Sequence, residues 1–377
     1  MSKIQYWSPT KILELGADYN VIYGLRSNGK TTGVEGYAIT EYINSGYKNQ
    51  LAIIRRWEED YKGKNGTQMF DGINTNGWYD DKGKLHTIKG DTKGIYNMIM
   101  YYSQRWYFAK MDDNGKIDYK SEEPFAIGFS ITSEEHYKST AYPNITNIMF
   151  DEFITRSYYL PDEFIKFQNL LSTIIRLRTN VKIFMLGNTI NKYCTYFTEM
   201  GLTNIKKQQP NTIDIYSYGD SDLKVAVEYS DFKGKKESNK YFAFNNPKLQ
   251  MITNGNWEMS IYPHLPVKYD KSEIKYIYFI NFNEELLQCE IINSKKNNTI
   301  FTYIHRKTTP IKEDNTNIIF QCEVNEQKHY RRKITKPFDK VGDKIYYFYK
   351  TDKVFYQDNE VGEIVRNYIM WCKKESE

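Results

Sequence analysis

Cysteine is scarce: four in 377 residues, at Cys194, Cys289, Cys322 and Cys372, with no CxxC pair. That spacing excludes a disulfide scaffold and offers no ligand pattern for a structural zinc. The five histidines are scattered as well. No apolar run approaches the roughly 18 residues of a spanning helix, and mean hydropathy is −0.69, so a helical membrane protein is excluded and no membrane partner is expected. Residues 1–16 lack the features of a secretory signal, which makes the chain read as cytosolic and reduced. Charge of one sign is also missing. Fifty-two Lys and Arg against 47 Asp and Glu leave +5, a balance compatible with nucleic acid but with no polybasic tail to demand it. Alanine is sparse while Lys, Asn, Ile and Tyr abound, the bias of AT-rich codons. The 34 tyrosines are therefore not all read as stacking platforms.

What remains is enough apolar residue for real cores, and a length that suits two domains. Up to about residue 190 short apolar runs alternate with helical spacing. Strands are expected at Asn20–Tyr23, Leu51–Ile54, Phe125–Ile131, Ile145–Phe150 and Val181–Leu186, with a helix from Lys30 to Tyr47. Strands of this kind separated by helices imply a mostly parallel sheet covered on both faces. Residues 57–123 are charged and rich in Gly and Asn, and read as an insertion of small strands with an Asn114-Gly115 hairpin. The first domain is set at 1–202, a polar linker at 203–255, and a second, strand-rich domain at 256–377. The second domain should hold strands at Tyr276–Phe282, Leu286–Ile292, Thr299–His305, Ile318–Cys322 and Ile345–Tyr349. A helix is expected at Glu360–Trp371.

The sequence Gly24-Leu-Arg-Ser-Asn-Gly29-Lys30-Thr31 fits GxxxxGK[ST]. It follows an expected strand and opens an expected helix, the context the motif requires. Backbone N–H groups of Gly24, Arg26, Asn28, Gly29 and Thr32 would ring the phosphates of ATP, aided by the helix N-terminus. Lys30 would reach the β- and γ-phosphates and Thr31 would ligate Mg²⁺.

An apolar run from Ile145 to Phe150 ends in Asp151-Glu152. Both carboxylates then lie at the carboxyl edge of the sheet, where open α/β folds bind ligands. Asp151 is assigned to hydrated Mg²⁺ and Glu152 to the attacking water. Alternation along the strand would send the two acids to opposite sides. The pair of motifs marks a P-loop NTPase with an additional strand between them, which Phe125–Ile131 could supply. Asn188, at the polar tip after Phe184-Met-Leu-Gly187, is a candidate contact for the γ-phosphate.

With Arg26 in the loop, Lys138-Ser139, Ala141-Tyr-Pro-Asn144, Phe150-Asp-Glu-Phe153 and Ile174-Ile-Arg176-Leu-Arg178, the chain resembles the DNA-packaging (encapsidation) ATPases of small podophages, relatives of the large terminase subunits. The likeness runs from about Trp7 to Asn188. It implies an ATP-driven motor for double-stranded DNA, a homo-oligomeric ring, commonly a pentamer. The ring would sit transiently at the portal (connector) of the procapsid in the host cytoplasm, with use of a structural RNA left open. It also implies that Arg176 is offered in trans to a neighbour's nucleotide, with Arg178 as the alternative. Arg55 and Arg56 match a paired arginine near the phosphates or a subunit boundary, and Lys138 is a candidate contact for DNA or a neighbour. Trp7-Ser8-Pro9 matches an element where adenine could stack, although a core Trp fits as well.

In relatives the second domain resembles a ribonuclease H-like nuclease, which needs clustered acids for two metals. Here Asn281 and Asn283 stand where a mid-strand Asp is wanted, and Glu284 and Glu285 have no evident partners. The domain is read as a degenerate, non-cleaving α+β module for nucleic acid or portal docking, with Lys328–Lys333 as its basic patch. Three other readings remain open: a full terminase with nuclease activity, a nucleotide-dependent DNA-binding or assembly protein that does not translocate, and another P-loop motor such as a helicase or DNA pump of cellular type.

Overall fold

Short apolar runs stopped by Gly, Asn or acid form the strands here. The structure, a computed structural model, describes residues 6–155, 159–160, 162–189, 194–230, 262–265, 268–282, 285–296, 298–311 and 317–374. The chain divides into two units, Met1–Trp257 and Glu258–Glu377.

The first unit is built on a ten-stranded sheet. Its strands are β1 (Tyr19–Gly24) and β2 (Gln50–Arg55), then β5 (Met98–Tyr102), β6 (Arg105–Met111), β7 (Ile117–Lys120), β8 (Ala126–Ser130), β9 (Ile145–Asp151), β10 (Lys182–Asn188), β11 (Ile213–Ser217) and β12 (Lys224–Ser230). A separate small hairpin joins β3 (Trp78–Tyr79) to β4 (Leu85–His86). The order across the large sheet is β11-β12-β1-β10-β9-β2-β8-β6-β5, with β7 on β6. From β12 to β8 every pairing is parallel. Alternate side chains serve two cores. Val21, Tyr23, Ala52 and Ile54 pack with Phe167, Leu170 and Ile174 of the Glu163–Ile175 helix. Ile22, Leu51 and Ile53 pack with Val34, Ala38 and Ile39 of the Lys30–Asn44 helix.

Three expectations need correction. The strand between the P-loop strand and the acidic strand is β10, which carries Asn188, whereas Phe125–Ile131 (β8) lies beyond β2. The 203–255 segment is no linker over its first half, because β12 pairs parallel with β1 from Tyr19–Val225 to Gly24–Ser230. The remainder of that segment lies outside the described residues. The 57–123 insertion is no appendage either. Tyr61, Phe70, Trp78 and Trp106 complete the core on the P-loop helix side, and β6 extends the sheet antiparallel to β8.

The second unit has strands β13 (Ile274–Phe282), β14 (Glu285–Ser294), β15 (Thr299–Arg306), β16 (Ile319–Gln321), β17 (Tyr330–Arg331) and β18 (Val354–Tyr356), ordered β17-β16-β13-β14-β15-β18. The antiparallel meander β13-β14-β15 is extended in parallel by β16 and β17 on one side and by β18 on the other. Ile345–Tyr349 is helical, not a strand. It lies inside a Lys340–Lys350 helix capped by Asp339, whose side chain accepts from Gly342 N, and Ile345 and Phe348 face inward. The terminal helix runs Asn359–Lys374.

One ion pair ties the sheet edge to the helix behind it. Arg56 is 7% exposed and meets Glu163 through Nε at 2.9 and 3.0 Å and through a terminal nitrogen at 2.8 Å. It also donates to the Phe153 carbonyl at 3.0 Å. Breaking a buried pair from one side strands the other charge, at about 3–5 kcal/mol. Arg56→Met should lower unfolding stability by that order in a urea titration of the full chain, and unchanged stability would mean that Glu163 is satisfied without it.

Candidate functional site

Three parallel strands end side by side at the site, in the order β1, β10, β9. Gly24 is in register with Asn188, and Leu186 with Asp151. The phosphate-loop glycines, the polar tip and the acidic pair therefore meet at one carboxyl edge.

The loop is shaped by positions that need unusual backbone. Gly24 has φ +155°, and a Cβ there would lie 1.8 Å from the Ser230 carbonyl oxygen. Gly29 precedes the helix with φ +89°. The Asn28 side chain is buried, donating to Ser230 Oγ at 3.1 Å and accepting from Lys30 Nζ at 3.0 Å. Strand β12 is thus the wall of the loop, a supporting role that the sequence reading missed. The alternating Lys224-Val-Ala-Val-Glu-Tyr-Ser230 stretch was the available signal. Lys30 Nζ also donates to Leu25 O at 2.5 Å and Asn188 Oδ1 at 3.4 Å. Burial pushes the Lys30 ammonium down to about 8, with Asp151 and Glu228 pulling the other way. Arg26 lies at the rim of a pocket that Asn188 and Glu152 also line, and Thr32 is exposed at the helix start.

Thr31 Oγ1 faces both Asp151 oxygens, at 3.5 and 3.4 Å. Hydroxyl and carboxylate oxygens alone suit a hard cation such as Mg²⁺, so these two residues fit the metal position. Desolvation raises the Asp151 carboxyl above its ordinary range, while Arg55 opposes this. The two acids do not diverge as strand alternation predicts. Glu152 leaves the strand with φ +60°, and one guanidinium holds both carboxylates: Arg55 reaches Asp151 Oδ2 at 2.9 Å and Glu152 Oε2 at 3.0 Å. Arg55 therefore belongs to the strand-tip site.

The remaining basic candidates separate clearly. Arg56 turns its guanidinium inward to Glu163, while still lining the pocket with Arg55, Asp151, Glu152 and Asn188. Arg178 is a brace, donating to the carbonyls of Ile174, Tyr142 and Pro143 at 2.8–3.1 Å and to that of Ile145, and desolvation lowers its pKa. Arg176 is exposed, with φ +51° at the helix end and a bond to the Thr140 carbonyl at 3.0 Å. Lys138 is half-exposed beside Glu134 and Glu135, at 3.9 and 3.6 Å. Trp7 is 3% exposed, and its Nε1 donates to Glu228 at 2.9 Å, which makes it a core residue. Tyr6 and Tyr79, which the sequence did not single out, stack at 6.0 Å beside Ser27, Gly29 and Thr32.

In the second unit Asn281 is in register with Gln321, and Glu285 is ion-paired with Arg306. Asn283 and Glu284 lie outside the described residues. Among the described residues, no group of three or more His, Cys, Asp or Glu could hold a metal. Lys328–Lys333 is no uniform basic face, since Arg331 pairs with Asp339 at 2.6 Å.

The loop geometry gives a direct test. A Cβ at Gly24 must push the loop from Ser230, and overpacking of this kind costs about 1–3 kcal/mol. Gly24→Ala should weaken binding of a fluorescent ATP analogue by about tenfold or more while the far-ultraviolet dichroism stays intact. Unchanged affinity would show that the β12 contact does not shape the loop.

The chain is similar to the DNA packaging protein of Bacillus phage phi29, with 26% identity over 219 residues, covering 57% of this chain and 55% of that one. Its counterpart in Bacillus phage B103 is 28% identical over 188 residues, covering 48% of each. The chain thus aligns with about half the length of these curated relatives. In fold it matches the Phi-28 gp11 DNA packaging motor with a TM-score of 0.53 at 17% identity, over 98% of this chain and 99% of that one. Residues 107–246, which take in Asp151, Glu152, Arg176 and Asn188, match the family of podovirus DNA encapsidation proteins (Gp16).

Proposed function

We propose that the chain is an ATPase that drives viral double-stranded DNA into an empty capsid, working as a homo-oligomeric ring at the portal vertex in the host cytoplasm. The observation that carries the ATPase reading is the Thr31–Asp151 pair beneath the Gly24–Lys30 loop, with Glu152 on the same strand tip. The names of the relatives, DNA packaging proteins, support the choice of DNA as the load. The amide at Asn281, where a nuclease acid would be wanted, favours the motor over a cleaving terminase.

In this reading Lys30 exchanges its contacts with Leu25, Asn28 and Asn188 for the β- and γ-phosphates. Thr31 and Asp151 hold the magnesium, which supplies charge neutralisation on the phosphates when bound. Glu152, with its side chain 67% exposed, is reachable by the attacking water and accepts its proton. Asn188 lies close enough to Lys30 to register the loss of the γ-phosphate. The stacked Tyr6 and Tyr79 rings offer an aromatic wall for the base.

Lys30→Ala should lose ATP binding and turnover together. Glu152→Gln keeps the shape and removes the base, so it should bind ATP normally and turn over at least about 10²-fold more slowly. Rapid-quench hydrolysis with and without double-stranded DNA reads both variants. Near-normal hydrolysis by Glu152→Gln would refute its role, and turnover indifferent to DNA would refute the motor.

Arg176 is assigned to the neighbouring subunit's nucleotide. It bonds to Thr140, ahead of the start of β9, whereas Asp151 ends that seven-residue strand. At about 3.3 Å per residue the sheet puts about 20 Å between Arg176 and its own site. Leu177 beside it is fully exposed, an apolar tip suited to a subunit contact. Mixing Arg176→Ala with Glu152→Gln should give faster hydrolysis than either alone, because some interfaces then pair an intact site with an intact finger. Mixed rings that restore nothing would exclude the trans role.

A further inference from the structure

Among the described residues one acid at this site has no partner, and it has no role in the scheme above. Glu35 lies four residues after Thr31 on the same helix, so both project from one face. It is 4% exposed. Among the described residues its carboxylate makes no hydrogen bond or ion pair, and its electrostatic neighbours are Asp151 and Arg55. Glu35 lines a pocket of about 320 Å³ that continues from Thr31 and Asp151 past Asp60, Asn65 and Gln68. That space accepts several waters. Arg55, on the same wall, is already committed to Asp151 and Glu152.

Burying an unpaired carboxylate is costly, and a wholly structural helix position would carry an apolar residue there. The pocket supplies a reason for the acid. Magnesium dehydrates reluctantly and keeps several of its waters when bound through few protein groups. Waters on a dication donate hydrogen bonds outward, and a carboxylate only accepts. Around that pocket three acids, Glu35, Asp60 and Asp151, face one cation, Arg55. Desolvation and the Asp151 charge raise the Glu35 carboxyl well above its ordinary range, a penalty that a nearby dication would offset.

We propose that Glu35 is a positioning residue that anchors the outer hydration shell of the divalent cation held by Thr31 and Asp151. The inference rests on the ATPase reading above and extends it to a residue outside the motifs. Asn65 and Gln68, from the 57–123 segment, line the same pocket, so that segment would share in holding the shell.

The test uses the full chain and a fluorescent ATP analogue, with binding followed during Mg²⁺ titration and again in EDTA. Removing an outer-shell partner typically costs 10–100-fold in metal affinity. Glu35→Gln, nearly isosteric, should raise the Mg²⁺ midpoint at least tenfold while leaving affinity in EDTA within twofold of wild type. Glu35→Asp, which keeps the charge but withdraws it, should give a smaller shift of the same sign and serves if the Gln variant does not fold. Mn²⁺ binding to the ADP complex, read by electron paramagnetic resonance, should weaken in parallel. An unshifted midpoint in the folded variants overturns the proposal. So does an equal loss of affinity with and without Mg²⁺, which would mean a disturbed loop. If the wild-type protein binds nucleotide without regard to Mg²⁺, the ATPase reading fails first and takes this inference with it.

Discussion

A single guanidinium holds the two acids on which the site depends. Arg55 ends β2 and touches Asp151 and Glu152 at once. It can do so only because Glu152 adopts a left-handed backbone, a conformation that costs an ordinary residue about 1–2 kcal/mol. Strain of this kind persists where the surroundings over-determine it. Here the restraint is visible on both sides of the turn. The Glu152 N–H donates to Asp151 Oδ1 at 3.0 Å, and Arg56 fixes the Phe153 carbonyl. Two adjacent arginines thus do different work: strand alternation sends Arg55 to the ligand side and Arg56 to the core behind it.

That division explains what the sequence made legible. The Gly24–Thr31 loop and the Ile145–Asp151 strand are local signals, each complete within eight residues, and both stand where the pattern puts them. Strand β12 was hidden because its partner, β1, lies about 200 residues earlier, and polar runs on either side disguised it as a linker. Asn188 was recognised as a strand tip, yet its place between β1 and β9 depends on crossover topology, which no local pattern encodes. Ile345–Tyr349 carries a β-type composition, and the Asp339 cap and inward spacing of Ile345 and Phe348 overrode it. Arg56 was paired with Arg55 by adjacency; only Glu163, more than a hundred residues away, shows where it points. The left-handed turn at Glu152 had no sequence signal, since glutamate rarely takes it and no glycine marks it.

The same sheet separates two jobs by distance. The Gly24–Thr31 loop, Asp151, Glu152 and Asn188 stand at its carboxyl edge, whereas Arg176 and Arg178 sit at the opposite edge, beside the start of β9. Arg178 spends its guanidinium on backbone carbonyls and so stiffens the helix end on which Arg176 is displayed. The exposed Arg176 is set apart from the Asp151 end by the length of β9. An arginine that stabilises a transferring phosphoryl group contributes about 10³–10⁵ in rate, roughly 4–7 kcal/mol of barrier. If a neighbour supplies it, hydrolysis in one subunit depends on the docking of the next. Order around such a ring would then follow from that geometry, with the parallel sheet as the spacer between Arg176 and the Asp151 end of its own subunit.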